Sequence, residues 1–405
     1  MSNKMSQGIF AFALASAFAG SAFAGGLERA GYNIDLLFDP SKAAFEAGVV
    51  FVNPDRQVYN TKDTNAANGS GTNGIGGGTT TARDASSYSV PRFGVKVNIF
   101  DSVDCLADYS QPWGVHAAPG RNWKGANSNT ETRVDSYAVG ATCSYKTDLG
   151  KGDLRFIGGV FYEEVSGFKE RLVAPPNALR NGIGRLDLEG DGYGWRAGVA
   201  YEIPEYAMRA SLVYNSAVDL GDVTGSLDLR QVNGSYIPVV GTASMPDSVE
   251  LKLQSGIAPD WLAFGSVKWT DWSQLQSIGF CPSNGGACPA GGITSLDLLY
   301  KDGWTVSGGI GHKFNDQWSA AATLTWDKGT TTGLTTQTDT WTIGAGVGYT
   351  PTKNVEFRLG GAVGILTSGS VHAVTSNGVT YGKEASYDFD NDVVTALSTS
   401  VRVKF

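Results

Sequence analysis

Residues 261–270 read WLAFGSVKWT, and taken in steps of two they separate into two faces. Trp261, Ala263, Gly265, Val267 and Trp269 are apolar or small, whereas Leu262, Phe264, Ser266, Lys268 and Thr270 are mixed. A period of two over a segment this long marks a strand with one apolar face. Working outward, the pattern returns at Trp304, Val306, Gly308 and Ile310, and at Trp318, Ala320, Ala322, Leu324 and Trp326. It appears again at Trp341, Ile343, Ala345, Val347 and Tyr349.

The charges obey the same parity. Arg92 and Lys96 stand opposite Phe93, Val95, Val97 and Ile99; Arg155 lies between Leu154 and Phe156, and Arg196 between Trp195 and Ala197. Arg209, Glu250, Lys252, Lys268, Glu356 and Arg358 also take the non-apolar phase. A charge facing hydrocarbon costs about 2–4 kcal/mol at mid-membrane, whereas one facing a lumen is solvated or paired. Aromatic pairs bracket the strands, and eight residue steps on a tilted strand span about 20 Å, close to the height of a membrane barrel's apolar band. A soluble sandwich would have shorter strands and would point its aromatics inward. The fold expected is therefore all-β, a transmembrane antiparallel β-barrel of about 14 strands.

Turn lengths agree with this. Short turns fall at 101–102, 148–153, 204–205, 259–260, 315–316 and 351–354. Longer polar segments alternate with them at 53–87, 116–133, 167–190, 220–246, 274–299, 329–338 and 368–391. Short periplasmic turns and long outer loops are the usual polarity of such barrels.

The first residues read as a targeting segment. Lys4 precedes a run of Phe, Ala and Leu, and Ala22-Phe23-Ala24 supplies small residues for cleavage before Gly25. The organisation expected is a signal peptide at 1–24, a short luminal segment at 25–44 and the barrel at 45–405. Export to an oxidising compartment makes disulfides the natural use of the four cysteines. Cys281 and Cys288 flank a Pro-Ser-Asn-Gly-Gly-Ala loop, and Cys105 and Cys143 fall on neighbouring strands.

Several functions are disfavoured. The net charge of -8 is wrong for nucleic acid, whose phosphates demand clustered Lys and Arg. Only His116, His312 and His372 are available for acid–base chemistry, with no nucleophile motif or paired carboxylates around them. Neither cysteine pair shows a zinc-type spacing, and the Gly-rich stretch 69–78 lacks phosphate-loop order. No enzyme activity, metal or cofactor is expected.

Met245-Pro246-Asp247-Ser248 through Pro259, Trp269-Thr270-Asp271-Trp272-Ser273 and Tyr300-Lys301-Asp302-Gly303-Trp304 resemble the FadL-type outer-membrane transporters of long-chain fatty acids and aromatic hydrocarbons. Phe314-Asn315-Asp316-Gln317-Trp318 and Trp326-Asp327-Lys328 continue the resemblance, and Gln111-Pro112-Trp113-Gly114 resembles that family's third-strand signature. The resemblance implies a fourteen-stranded barrel with an N-terminal hatch, capture of the ligand at outer loops, and sideways exit into the membrane through an inward kink of strand three. Pro112, Trp113 and Gly114 are the residues expected at that kink, since Pro lacks a ladder N–H and Gly leaves the wall unfilled. The hatch is shorter than the family's, with Phe38-Asp39-Pro40 in the place of its usual motif.

The ligand path follows from parity and composition. Arg155, Arg196, Lys268 and Arg358 face the lumen; an ion-pair lattice is the plainer role of each, and one is expected to meet a ligand carboxylate. Phe161, Phe264 and Trp272 are the inward aromatics. Phe168, Leu172, Val173, Leu179 and Ile237 form a greasy set for an outer groove. The partners expected are a long-chain fatty acid or similar hydrophobe, outer-membrane lipids and, through the terminal Phe405, the barrel-assembly machinery, with the protein acting as a monomer. A general diffusion porin is the competing reading, and would show opposed charge rows and steady conductance.

Overall fold

The protein is described by a computed structural model over residues 25–65, 78–173 and 182–405. The expected signal segment, Leu179 and most of the Gly-rich stretch lie outside these described residues.

The wall begins with β1 (Ala43–Pro54), β2 (Tyr88–Phe100) and β3, which is in two pieces, Val103–Ser110 and Gly114–Ala117. Then come β4 (Glu131–Leu149), β5 (Gly152–Val173), β6 (Gly182–Ile203) and β7 (Met208–Asn215). The second half consists of β8 (Ser248–Ala258), β9 (Trp261–Thr270), β10 (Gly303–Lys313) and β11 (Trp318–Lys328). It ends with β12 (Thr340–Thr352), β13 (Val355–Leu366) and β14 (Asp392–Lys404). Each pairs antiparallel with the next, and β14 closes on β1 from Ala44↔Lys404 to Pro54↔Val394. The result is a closed fourteen-stranded barrel. Closure removes the sheet edges that a membrane could not satisfy.

The faces separate as the alternation demands. On β6, Trp195 is 51 % exposed and its neighbour Arg196 only 2 %. Phe156, Val267, Leu324, Ile343 and Leu359 are exposed on the outside, while Arg155, Thr325, Thr342 and Arg358 are buried within. The interior is an ionic lattice near the short-turn end. Glu46 takes Arg92 at 2.6 Å, Arg402 at 2.5 Å and Arg358 at 3.2 Å; Asp104 takes Lys96 and Arg155, each at 2.7 Å. Charges removed from water are tolerated where they are paired in this way.

Residues 25–42 run inside the wall. A short helical turn at Asp35–Phe38 places Leu36 beside Gly94 and Leu106, and Asp35 beside Lys252 at 3.0 Å and Arg209 at 3.7 Å. Lys268 pairs with Glu28, and the Arg155 and Arg209 guanidinium groups lie over the Phe38 ring. Burial opposes ionisation of Asp35, but Lys252 and Arg209 outweigh it and hold the carboxyl below its ordinary range.

Three expectations shift. β1 starts at Ala43 rather than 45. Segment 167–190 is not a loop throughout: β5 and β6 keep register as far as Val173↔Gly182. Above the apolar band their outward positions carry Glu170, Arg185 and Asp187, so the contrast of faces disappears while the ladder continues. Two other outer segments also carry paired strands. Val218–Leu229 and Ser235–Met245 form a hairpin that docks on β6, and Ser277–Pro282 pairs with Thr294–Asp297.

Both expected disulfides are present. Cys105 bonds Cys143 across the directly paired positions of β3 and β4, and Cys281 bonds Cys288 in an outer loop.

Candidate functional site

Strand three is where the wall departs from regularity. Its lower half pairs β2 through Phe93↔Tyr109 and β4 through Ser110↔Ala138. The upper half, Gly114–Ala117, pairs β4 alone, and residues 88–92 of β2 have no ladder partner on this side. Between the halves lie Gln111, Pro112 and Trp113. Segment 25–42 takes over the bonding that β2 gives up. The Pro112 carbonyl accepts the N–H of Arg29 at 2.9 Å, the Gly114 N–H donates to the Leu27 carbonyl at 2.7 Å, and Glu28 bridges Trp113. An inward break exposes backbone groups, and these bonds satisfy them.

Trp113 anchors the break. It is fully buried, its backbone N–H donates to Ser136 Oγ at 2.9 Å, and its Nε1 donates to Glu163 Oε1 at 2.9 Å. Tyr32 donates its hydroxyl to the same Glu163 carboxylate. The Trp113 ring meets Trp272 edge-on at 5.2 Å, and Trp272 meets Tyr300 at 5.9 Å.

Directly outside this aromatic floor is a cavity of about 230 Å³. Its walls come from Leu27, from Val115 on β3, Val134 on β4, Val165 on β5 and Leu188 on β6, and from the outer segments through Val223, Met245, Leu275, Phe280 and Leu298. Burial pushes the Tyr300 hydroxyl up, so this aromatic wall is uncharged at neutral pH. Lys169 of β5 also lines the cavity. It makes no ion pair within 4.0 Å among the described residues; Asp297 and Glu384 are the carboxylates whose charge it feels. A second cavity, about 120 Å³, lies deeper and is polar, lined by Glu28, Asp35, Lys252, Ser266, Lys268, Ser307 and Thr325.

The residues expected from sequence distribute unevenly over this geometry. Pro112, Trp113 and Gly114 lie at the break. Arg155, Lys268 and Arg358 are in ion pairs away from the apolar cavity, with Asp104 and Glu202, Glu28, and Glu46 and Glu356 respectively. Arg196 stands 3.8 Å from Asp108, under the rings of Phe161 and Tyr32. Phe161 packs on Tyr32, Phe264 lines the polar cavity, and Trp272 packs against Tyr300, which lines the apolar one. Among the outer set, Phe168 touches the cavity and lies under Arg185, and Ile237 packs on the same cluster. Leu172 instead joins Val58, Trp123 and Phe389 in a separate cap, and Val173 lies beside Gly184. Lys169 and Glu163 were not foreseen: a single charge on a long alternating strand carries no signal of its depth or its partner.

A closed barrel with an internal segment and an outer apolar cavity beside a broken strand defines an outer-membrane protein built for apolar molecules. The family model for outer membrane protein transport proteins (OMPP1/FadL/TodX) matches residues 6–405, and the chain belongs to that family, whose members carry hydrophobic compounds across the outer membrane. The chain is 22 % identical over 330 residues to the long-chain fatty acid transport protein of Escherichia coli (strain K12), covering 72 % of this chain and 70 % of that protein. The fold resembles the crystal structure of a Pseudomonas aeruginosa FadL homologue, with a TM-score of 0.76 at 15 % identity over 96 % of this chain and 98 % of the other. It also resembles the P. putida toluene transporter TodX, with a TM-score of 0.60 at 16 % identity over 92 % of each chain. The protein is thus an outer-membrane β-barrel.

Proposed function

We propose that the protein takes up long-chain fatty acids, capturing them in the outer apolar cavity and releasing them sideways into the membrane at the break in strand three. The observation that carries this is contiguity. Val115, on the upper half of strand three, and its ladder partner Val134 on β4 belong to the cavity wall, so the cavity reaches the strand that borders the break, and Leu27 of the luminal segment completes it. Apolar burial drives capture at about 25 cal/mol per Å². Residues 25–42 act as a hatch that directs the ligand to the wall instead of down the lumen, and the protein works as a monomer inserted by the barrel-assembly machinery.

The acid head requires a partner, since an unpaired buried carboxylate is costly. Lys169 supplies it: a cation in the wall of a mainly apolar cavity that Asp84 and Asp297 also line, and free of close ion pairs among the described residues. The lattice residues Arg155, Lys268 and Arg358 are committed to carboxylates of the chain itself. This arrangement also argues against a diffusion porin, because Lys268–Glu28 and Lys252–Asp35 pin the internal segment across the lumen.

The test is uptake of a labelled long-chain fatty acid by cells whose own transporter has been deleted and that express this chain. Restored uptake, with the half-saturating concentration raised by Lys169→Met, is the expected result. No uptake, combined with steady ionic conductance in planar bilayers, would establish the porin instead.

A further inference from the structure

The wall next to residues 88–92 of β2 is interrupted, and one side chain occupies the interruption. Arg29 begins inside the barrel, where its N–H bonds the Pro112 carbonyl. Its guanidinium emerges on the opposite side of strand three. Gly114 and Asp135 are ladder partners, and residues paired across a ladder share a face. Asp135 has the parity of Tyr137, Val139 and Tyr145, which look toward the lipid, and not of Ser136 and Ala138, which are buried. A Cβ added to Gly114 would collide with Nε of Arg29, so the guanidinium lies against that outward side. There its Nη1 donates to Asp135 Oδ1 at 3.0 Å, while the Tyr88 ring of β2 covers it at 4.6 Å. Asp135 is 40 % exposed and Arg29 only 5 %. Arg29 thus closes the space between β2 and the displaced half of β3, bonded to Asp135, whose other oxygen takes Arg133 Nε at 2.6 Å, and packed on Tyr88, which has the inward parity of Val90 and Lys96.

We propose that Arg29 is the bolt of the lateral opening and the residue that selects carboxylate-bearing ligands for release. An apolar molecule without an acid can move the guanidinium only by separating it from Asp135 and leaving a buried charge unpaired. A ligand carboxylate replaces Asp135 instead, trading one charge-assisted bond for another. The space opens as the ligand head arrives, and Gly114 gives the moving side chain room. Lys169 governs capture in the outer cavity; Arg29 governs passage out of it. The inference rests on the lateral-release reading given above.

The test compares initial uptake of a long-chain fatty acid with that of its methyl ester, in cells expressing the full chain. Folding of each variant is checked by the heat-dependent gel mobility of the barrel. Wild type favours the acid. Arg29→Ala speeds the ester and lowers the acid-to-ester ratio by about fivefold, the scale of one partly exposed ion pair. Asp135→Asn speeds the ester too but keeps a preference for the acid, because the guanidinium remains. A folded Arg29→Ala variant with an unchanged ratio overturns the proposal. A second measurement does not depend on transport: hydrogen exchange of the Arg29 and Gly114 amides in detergent-solubilised protein. Exchange accelerated by the acid and not by the ester supports the bolt; exchange unchanged by either overturns it. Cells that take up neither probe count against the transport reading alone, while the exchange result still decides Arg29.

Discussion

Glu163 is the residue whose removal has the most traceable consequence. It sits fully buried on β5 and accepts from both Trp113 at the break and Tyr32 in the luminal segment. Replacing it with Leu leaves two buried donors without an acceptor, at about 1–3 kcal/mol each. Glu163→Leu is therefore expected to lower the unfolding midpoint in denaturant, and Glu163→Gln to lower it less because one amide oxygen still accepts. Equal midpoints for the two variants would show that these bonds are not what holds the break. The sequence exposes this site only in part. Pro112 and Gly114 stand out because each breaks a rule of strand chemistry, but Glu163, Lys169 and Arg29 break none. Their partners lie on other elements, and residues 25–42 have no period from which facing positions could be counted.

At the scale of elements, alternation made β9 to β13 legible almost residue by residue. Where the outward face loses its apolar character, the same strands could not be followed, and the upper parts of β5 and β6 read as loop. The label test is direct: an environment-sensitive probe on Val267→Cys or Ala322→Cys is expected to report lipid, both sites being exposed on the apolar face. An aqueous signal at either would contradict the register of β9 or β11. The outer hairpin of Val218–Leu229 and Ser235–Met245 offers a second test, since it contributes Val223, Ala243 and Met245 to the cavity but pairs with β6 only above the band. Replacing residues 219–245 with a short turn, which removes all three, is expected to preserve barrel gel mobility and abolish fatty-acid uptake. Retained uptake would move the capture site elsewhere.

For the whole molecule, the luminal segment is held by charge, and charge makes it sensitive to acid. The Asp35 carboxyl lies below the ordinary aspartate value of 3.8 because of Lys252 and Arg209. A depressed folded value contributes stability that is present above 3.8 and is lost as pH falls through the lower folded value. Asp35→Asn should therefore weaken the protein's resistance to denaturant at neutral pH, and the difference from wild type should shrink in strong acid. A difference that stays constant with pH would assign the effect to packing instead. The Cys105–Cys143 bond has a consequence of a different kind, one of timing. Both sulfurs lie on the outward face of β3 and β4, where hydrocarbon will surround them. Oxidation requires a thiolate, and an apolar surrounding suppresses it. The link is then expected to form in water, before insertion, so that these two strands reach the bilayer already in register, with the lower part of the interrupted strand fixed to its neighbour.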